Sequence, residues 1–90
     1  MKDSAPHILV VEDETALAEL IRYNLEAEGF RATVALDGEQ AEVLLAEDAF
    51  DLLVLDWMLP GISGLELCRR LRHRDATQAV PVLMLTARGE

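Results

Sequence analysis

Runs of apolar residues alternate along the chain with segments whose apolar residues recur at helical spacing. Residues 7–11 and 52–55 are apolar without alternation, which is typical of strands buried on both faces in a parallel sheet. Residues 30–36 form a more mixed run, so we predict a strand near a sheet edge there. Residues 80–85 predict a fourth strand, with Pro81 near its start, where proline is tolerated.

The segments between the first three strands predict two helices. The first helix ends at Gly29, a natural stop for a helix. Its predicted apolar face is Leu17, Leu20, Ile21 and Leu25. Asp37 can cap the second helix. The predicted apolar face of this second helix is Ala41, Leu44 and Leu45.

A third helix is predicted from about Gly64 to His73. Ser63, with Glu66 three residues later, is typical of a capping box that starts a helix. The predicted apolar face is Leu65, Cys68 and Leu71. The order β-α-β-α-β-α-β indicates an α/β fold, in which helices cover both faces of a doubly wound parallel sheet in three layers.

Length and charge narrow the function classes. The chain has 90 residues, enough for one small domain, and its 17 acidic and 8 basic residues give a net charge of -9. Such a surface repels phosphate backbones and favours cations, so we expect no direct binding of nucleic acid by this stretch. No run is long enough for a membrane span and no signal peptide is evident, so we expect a cytoplasmic protein without membrane contact.

Three carboxylates follow directly on predicted strands. Glu12 and Asp13 follow the first strand, and Asp56 follows the third. If these strands are neighbours, the three side chains converge in one crevice, where their mutual repulsion favours a cation. Few, hard oxygen ligands suit Mg²⁺, and a carboxylate beside Mg²⁺ can act as a nucleophile towards phosphorus. Thr86, at the end of the fourth strand, would add a hydroxyl to the crevice.

A simpler interpretation is that these acidic residues cap helices or lie in solvated loops. Glu12 and Asp13 precede a helix, where negative charge is favourable in any case. Asp56 is harder to explain in this way, because it follows a fully apolar strand and caps no immediate helix. We therefore take Asp56 as the predicted functional centre.

The chain resembles the receiver domain of bacterial two-component response regulators. The matching segments are Ile-Leu-Val-Val-Glu-Asp-Glu at 8–14, Asp-Leu-Leu-Val-Leu-Asp-Trp-Met-Leu-Pro-Gly-Ile-Ser-Gly at 51–64 and Pro-Val-Leu-Met-Leu-Thr-Ala at 81–87. Asp-Trp-Met-Leu-Pro is most similar to the phosphate-regulon type, whose receivers precede a winged-helix DNA-binding domain. The resemblance covers essentially all of the chain and implies a flavodoxin-like receiver fold with strand order 2-1-3-4-5.

The resemblance also implies a role for each site residue. Asp56 would be the phosphoacceptor for a histidine kinase. Mg²⁺ would be held by Glu12, Asp13, Asp56 and the backbone carbonyl of Met58. Thr86 would be the switch hydroxyl, and Ala87 would offer a backbone N–H to the phosphoryl group. The chain would then be a regulatory phosphoacceptor rather than an enzyme, with only weak phosphotransfer and dephosphorylation on itself.

The sequence departs from the family after the fourth strand. The family continues with a helix, a strand that ends in lysine, and a second helix, whereas Lys2 is the only lysine here. We therefore expect residues 1–90 to be a receiver domain that is incomplete at its C-terminus, a (β-α)4 fragment. DNA binding and the transcriptional output would belong to a missing C-terminal domain. An uncovered fourth strand at 80–85 would favour self-association.

Two other functions remain open. A truncated or degenerate receiver could act as an interaction module that switches nothing. An aspartyl-phosphate phosphatase of the haloacid-dehalogenase type would usually carry a second aspartate two residues after the nucleophile, and Met58 at that position argues against it.

Overall fold

Four parallel strands form the centre of the computed structural model, which describes residues 5–85. The strands are β1 (His7–Val11), β2 (Arg31–Ala35), β3 (Leu52–Asp56) and β4 (Val82–Leu85). Their order is β2-β1-β3-β4, and every pairing is parallel. The predicted parallel sheet is confirmed, and the mixed run does form an edge strand.

The fourth strand begins later than its apolar run predicts. Val80 belongs to the preceding turn, because its N–H donates to the carbonyl of Thr77 at 3.1 Å. Ladder pairing with β3 starts only at Val82, which lies opposite Leu53. The strand therefore begins two residues after the predicted start.

Helices lie on both faces of the sheet and complete the three predicted layers. They are α1 (Thr15–Ala27), α2 (Gly38–Glu47) and α3 (Gly64–Arg72). Alternate residues of β1 belong to two separate apolar clusters: Leu9 and Val11 lie in one, and Ile8 and Val10 in the other. The first cluster contains the buried alanine and leucine residues of α2 and α3, whereas Ile21 and Leu25 of α1 pack against the second. This division follows from the alternation of side chains across a strand.

The larger cluster holds most of the fully buried side chains. Leu9, Leu53, Leu55, Leu67 and Leu71 are inaccessible to solvent within it. Burial of each leucine is worth about 1.5–3 kcal/mol relative to an exposed position. The layer that joins the sheet to α2 and α3 is therefore the main apolar core of the described chain.

Two predicted helix faces are wrong in part. Leu20 on α1 is 57% exposed and Leu65 on α3 is 53% exposed. On α3 the core-facing residues are Leu67 and Leu71, which lie four apart on one face. Leu65 precedes Leu67 by two residues, about 200° around the helix, so it lies on the opposite side.

On α1, Ala18 is the fully buried residue, and Ile21 and Leu25 continue the same stripe at helical spacing. Leu17 and Leu20 lie at the flank of this stripe, and Leu17 is 38% exposed. The contact of α1 with β1 and β2 selects this stripe.

The predicted caps of α2 and α3 are formed. The carboxylate of Asp37 accepts a hydrogen bond from the N–H of Gln40 at 2.8 Å. The hydroxyl of Ser63 accepts one from the N–H of Glu66 at 3.1 Å. A complete capping box would also have the Glu66 carboxylate accept a hydrogen bond from the N–H of Ser63. Among residues 5–85 that bond is absent, because Glu66 accepts hydrogen bonds from two arginines of α3 instead. These caps fix where each helix begins relative to the carboxyl ends of the strands.

Candidate functional site

Three carboxylates meet where β1 and β3 end side by side. Glu12 and Asp13 follow the last residue of β1, and Asp56 is the last residue of β3. The two strands pair directly, so their carboxyl ends share one edge of the sheet. One oxygen of each of the three carboxylates lies within 4.8 Å of the other two. The predicted convergence of these residues is confirmed.

The three side chains differ in how firmly they are held. Glu12 is only 3% exposed, and its carboxylate accepts a hydrogen bond from the N–H of Glu14 at 2.9 Å. Its own N–H donates to the carbonyl of Ala35 at 3.0 Å, which ties it to the end of β2. Asp13 is exposed and Asp56 is half-buried. The site therefore combines one fixed carboxylate with two that solvent or a ligand can reach.

Electrostatics in the cluster disfavour three negative charges. Burial raises the pKa of Glu12, and the carboxylates of Asp56 and Asp13 raise it further, against the lowering effect of the Glu14 N–H. No ion pair within residues 5–85 involves any of the three carboxylates. A cation placed among them would relieve this repulsion.

The loop after β3 directs a backbone donor at Asp56. The N–H of Met58 lies 3.3 Å from a carboxylate oxygen of Asp56, a long hydrogen bond. Trp57 and Met58 are 46% and 58% exposed. Both residues directly follow Asp56, the last residue of β3.

Gly64 has a positioning role that the sequence pattern did not indicate. A Cβ atom at this position would lie 2.5 Å from the carbonyl oxygen of Asp56 and 3.0 Å from that of Trp57. The N–H of Gly64 donates to the same Trp57 carbonyl at 3.1 Å. The start of α3 thus packs directly on the end of β3, which only glycine permits. Glycine is common where a loop meets a helix, so the sequence around Gly64 did not predict this contact.

The donor set fits a small, hard cation. The donors are all carboxylate oxygens, and they lie close enough to one another to share one ion. Because Asp13 is exposed, water can reach an ion bound there. Mg²⁺ prefers such oxygen ligands and keeps part of its water shell. Met58 lies next to the cluster, and a role for its carbonyl stays a prediction. Thr86 and Ala87 lie outside the described residues.

Comparison with known protein families identifies the family of this chain. The response regulator receiver domain family matches residues 8–90. The chain belongs to this family. The receiver domain is aligned over both segments that supply the carboxylates.

Curated relatives of this receiver domain are transcriptional regulators. The phosphate regulon transcriptional regulatory protein PhoB of Rhizobium meliloti (strain 1021) is 64% identical over 85 residues, which are 94% of this chain and 37% of the relative. PhoB of Pseudomonas aeruginosa is 45% identical over 83 residues, 92% of this chain and 36% of the relative. The receiver domain thus spans little more than a third of these relatives' length.

Solved receiver structures share the fold. A putative response regulator from Chloroflexus aurantiacus matches with a TM-score of 0.92 and 36% identity, over 97% of this chain and 71% of that one. The receiver domain of sensor histidine kinase PA1611 from Pseudomonas aeruginosa PAO1 matches with a TM-score of 0.88 and 30% identity, over 94% and 70%. That second structure has a magnesium ion coordinated in its active site cleft.

Proposed function

We propose that this receiver domain accepts a phosphoryl group on Asp56 in a Mg²⁺-dependent reaction. The observation that carries the proposal is the meeting of Glu12, Asp13 and Asp56 at the ends of two adjacent strands. Membership of the receiver family supports the same reaction class. The donor of the phosphoryl group would be a phosphohistidine of a histidine kinase.

The chemistry assigns each carboxylate a different part. A carboxylate oxygen of Asp56 attacks phosphorus, an O–P bond forms, and the N–P bond to the donor imidazole breaks as that ring takes up a proton. Asp56 suits this part because it is half-buried yet reachable, and the N–H of Met58 helps to orient it. Glu12 and Asp13 would hold the ion with Asp56 and the Met58 carbonyl. Bound Mg²⁺ would neutralise charge on the phosphoryl oxygens.

Phosphorylation would act as a charge switch. The new group adds negative charge and acceptor oxygens beside the loop that follows β3. We propose that the hydroxyl of Thr86 and the backbone N–H of Ala87 engage this group, as in the resemblance described above. Self-phosphorylation and slow hydrolysis would be the extent of its own catalysis.

The longer protein would supply the output. Both PhoB relatives are named as transcriptional regulatory proteins, which supports a transcriptional role and DNA binding outside these residues. Among residues 5–85, no helix combines the length and apolar character that a membrane crossing needs. We propose a cytoplasmic setting, where a kinase and DNA are both accessible.

Intact-mass detection of a phosphoryl adduct tests the proposal. We expect an adduct after incubation with acetyl phosphate and Mg²⁺. It should be absent with EDTA and absent in Asp56→Asn. The matched control is Asp75→Asn, at an exposed loop aspartate outside the cluster, and it should not affect the adduct. An adduct that persists in Asp56→Asn would refute the assignment of the phosphoacceptor.

The second candidate is an interaction module that switches nothing. It is favoured by β4, which is an edge of the described sheet and carries Leu83 with 55% exposure. We propose that two copies associate through this edge. Sedimentation velocity should show concentration-dependent association, and Leu83→Lys should weaken it because a charge opposes edge pairing. A monomer at all concentrations would contradict the proposal.

A further inference from the structure

A groove lies between α2 and the segment that leads into β4. Two adjoining hollows of about 590 Å³ and 300 Å³ share Leu45, Ala46, Ala76 and Thr77 as lining residues. We call their union the α2 groove. At one end the groove is lined by Ala49 and Phe50, which precede β3, whereas Asp56 is the last residue of β3. The five residues of β3 span about 15 Å, so the groove is separate from the carboxylate cluster.

The floor of the groove is apolar and held in place. Leu45 and Phe50 are 6% and 7% exposed and belong to the larger apolar cluster. Thr77 is buried, and its hydroxyl donates to the carbonyl of Leu71 at 2.8 Å, which fixes one wall to α3. Val43, at 55% exposure, lines the open side. A preformed concave surface of this kind suits the insertion of one apolar side chain.

The rim of the groove is negative. Four carboxylates and one guanidinium line it, a net charge of −3, from Glu39, Glu42, Glu47, Asp48 and Arg74. Glu42 already pairs with Arg70 and Arg74 at 3.2 and 3.1 Å. The other three carboxylates take part in no ion pair within the described chain.

The helix itself adds to this negative field. The last turn of α2 contains no basic residue, so the partial negative charge of its carbonyl end is not offset there. Glu47 ends the helix and Asp48 follows it, at the same end of the groove. A cationic group bound at this end would be favoured by both the side chains and the helix terminus.

We propose that the α2 groove binds a basic peptide segment of a partner protein. The segment would insert one aliphatic side chain over Leu45 and Phe50 and place lysine or arginine beside Glu39, Glu47 and Asp48. This inference goes beyond the proposed function, since no residue of the carboxylate cluster lines the groove. Both sites can be occupied at once.

Amide chemical-shift mapping of the 90-residue chain with a defined probe tests the inference. The probe is a short capped peptide of lysine and alanine with one central leucine. We expect saturable shifts at residues that line the groove. Replacement of the leucine by serine, or of the lysines by glutamate, should weaken binding roughly tenfold or more.

A matched pair of variants locates the site on the protein. Ala46→Arg places a long cationic side chain in the groove at an exposed helix position, and Ala27→Arg makes the same change at an exposed position of α1. Binding should fall roughly tenfold in the first variant and stay unchanged in the second. Equal weakening in both variants, unchanged binding in both, or shifts confined to the carboxylate cluster would overturn the inference.

Discussion

Repulsion within the carboxylate cluster makes Asp56→Asn a stabilising substitution when no divalent cation is present. Asparagine keeps the shape of the side chain and an acceptor for the Met58 N–H, and it removes one of three negative charges that lie within 4.8 Å of one another. The native charge therefore lowers the free energy of unfolding. Loss of that charge should raise it.

The size of the effect follows from the separation of the carboxylates. Two like charges 4.8 Å apart repel by about 3.5 kcal/mol at an effective dielectric constant of about 20, and by about 1 kcal/mol in water. Asp13 is exposed and Asp56 is half-buried, which places the pairs nearer the aqueous value. Asp56 forms two such pairs, with Glu12 and with Asp13, so we expect Asp56→Asn to raise the free energy of unfolding by about 2 kcal/mol in EDTA.

In the presence of Mg²⁺ the native chain should become more stable than Asp56→Asn. An ion that binds only the folded chain, at about one hundred times its dissociation constant, adds about 2.7 kcal/mol to the free energy of unfolding. The native chain should gain this amount, and Asp56→Asn should gain little because one ligand has lost its charge. The expected result is therefore a more stable variant in EDTA and a smaller response to Mg²⁺.

Urea unfolding, followed by circular dichroism with and without Mg²⁺, measures both quantities. The control is Asp75→Asn, which makes the same change in net charge at an exposed loop position away from the cluster. It should leave the response to Mg²⁺ intact. The reasoning is refuted if Asp56→Asn is destabilising in EDTA, or if it gains as much from Mg²⁺ as the native chain does.

Three further substitutions test the packing and the ion pairs by urea unfolding. Gly64→Ala should lower the free energy of unfolding by about 1–3 kcal/mol, because its Cβ would lie 2.5 Å from the carbonyl oxygen of Asp56. An unchanged value would show that this contact relaxes freely. Leu53→Ala should cost about 2–5 kcal/mol because the side chain is fully buried, whereas Leu83→Ala at 55% exposure should cost much less. Similar losses for both leucines would contradict the assignment of the core. Hydrogen bonds from two arginines lower the pKa of Glu66 to about 2. The resulting stabilisation is present above pH 4.5 and is lost as pH falls towards about 2, so Glu66→Gln should be less stable than the native chain at neutral pH and should converge with it in acid. A difference that is independent of pH would exclude this ionic contribution.

Much of the fold and site was predictable because it rests on local patterns. The apolar runs predicted the strands, since a strand covered on both faces needs no polar alternation. Asp37 and Ser63 predicted two helix starts, because a cap bonds within its own turn. The positions of Glu12, Asp13 and Asp56 at strand ends predicted their convergence, because carboxyl ends of paired parallel strands share one edge.

Only the tertiary structure decided which helix face is buried and which groups come into close contact. Helical spacing allows neighbouring stripes, and contact with the sheet selected Ala18 and Leu67 over Leu20 and Leu65. The burial of Glu12 and the contact that only Gly64 permits also depend on how separate elements approach one another. A one-dimensional pattern records the period of each element, and the fold alone sets its rotation and its distance from its neighbours.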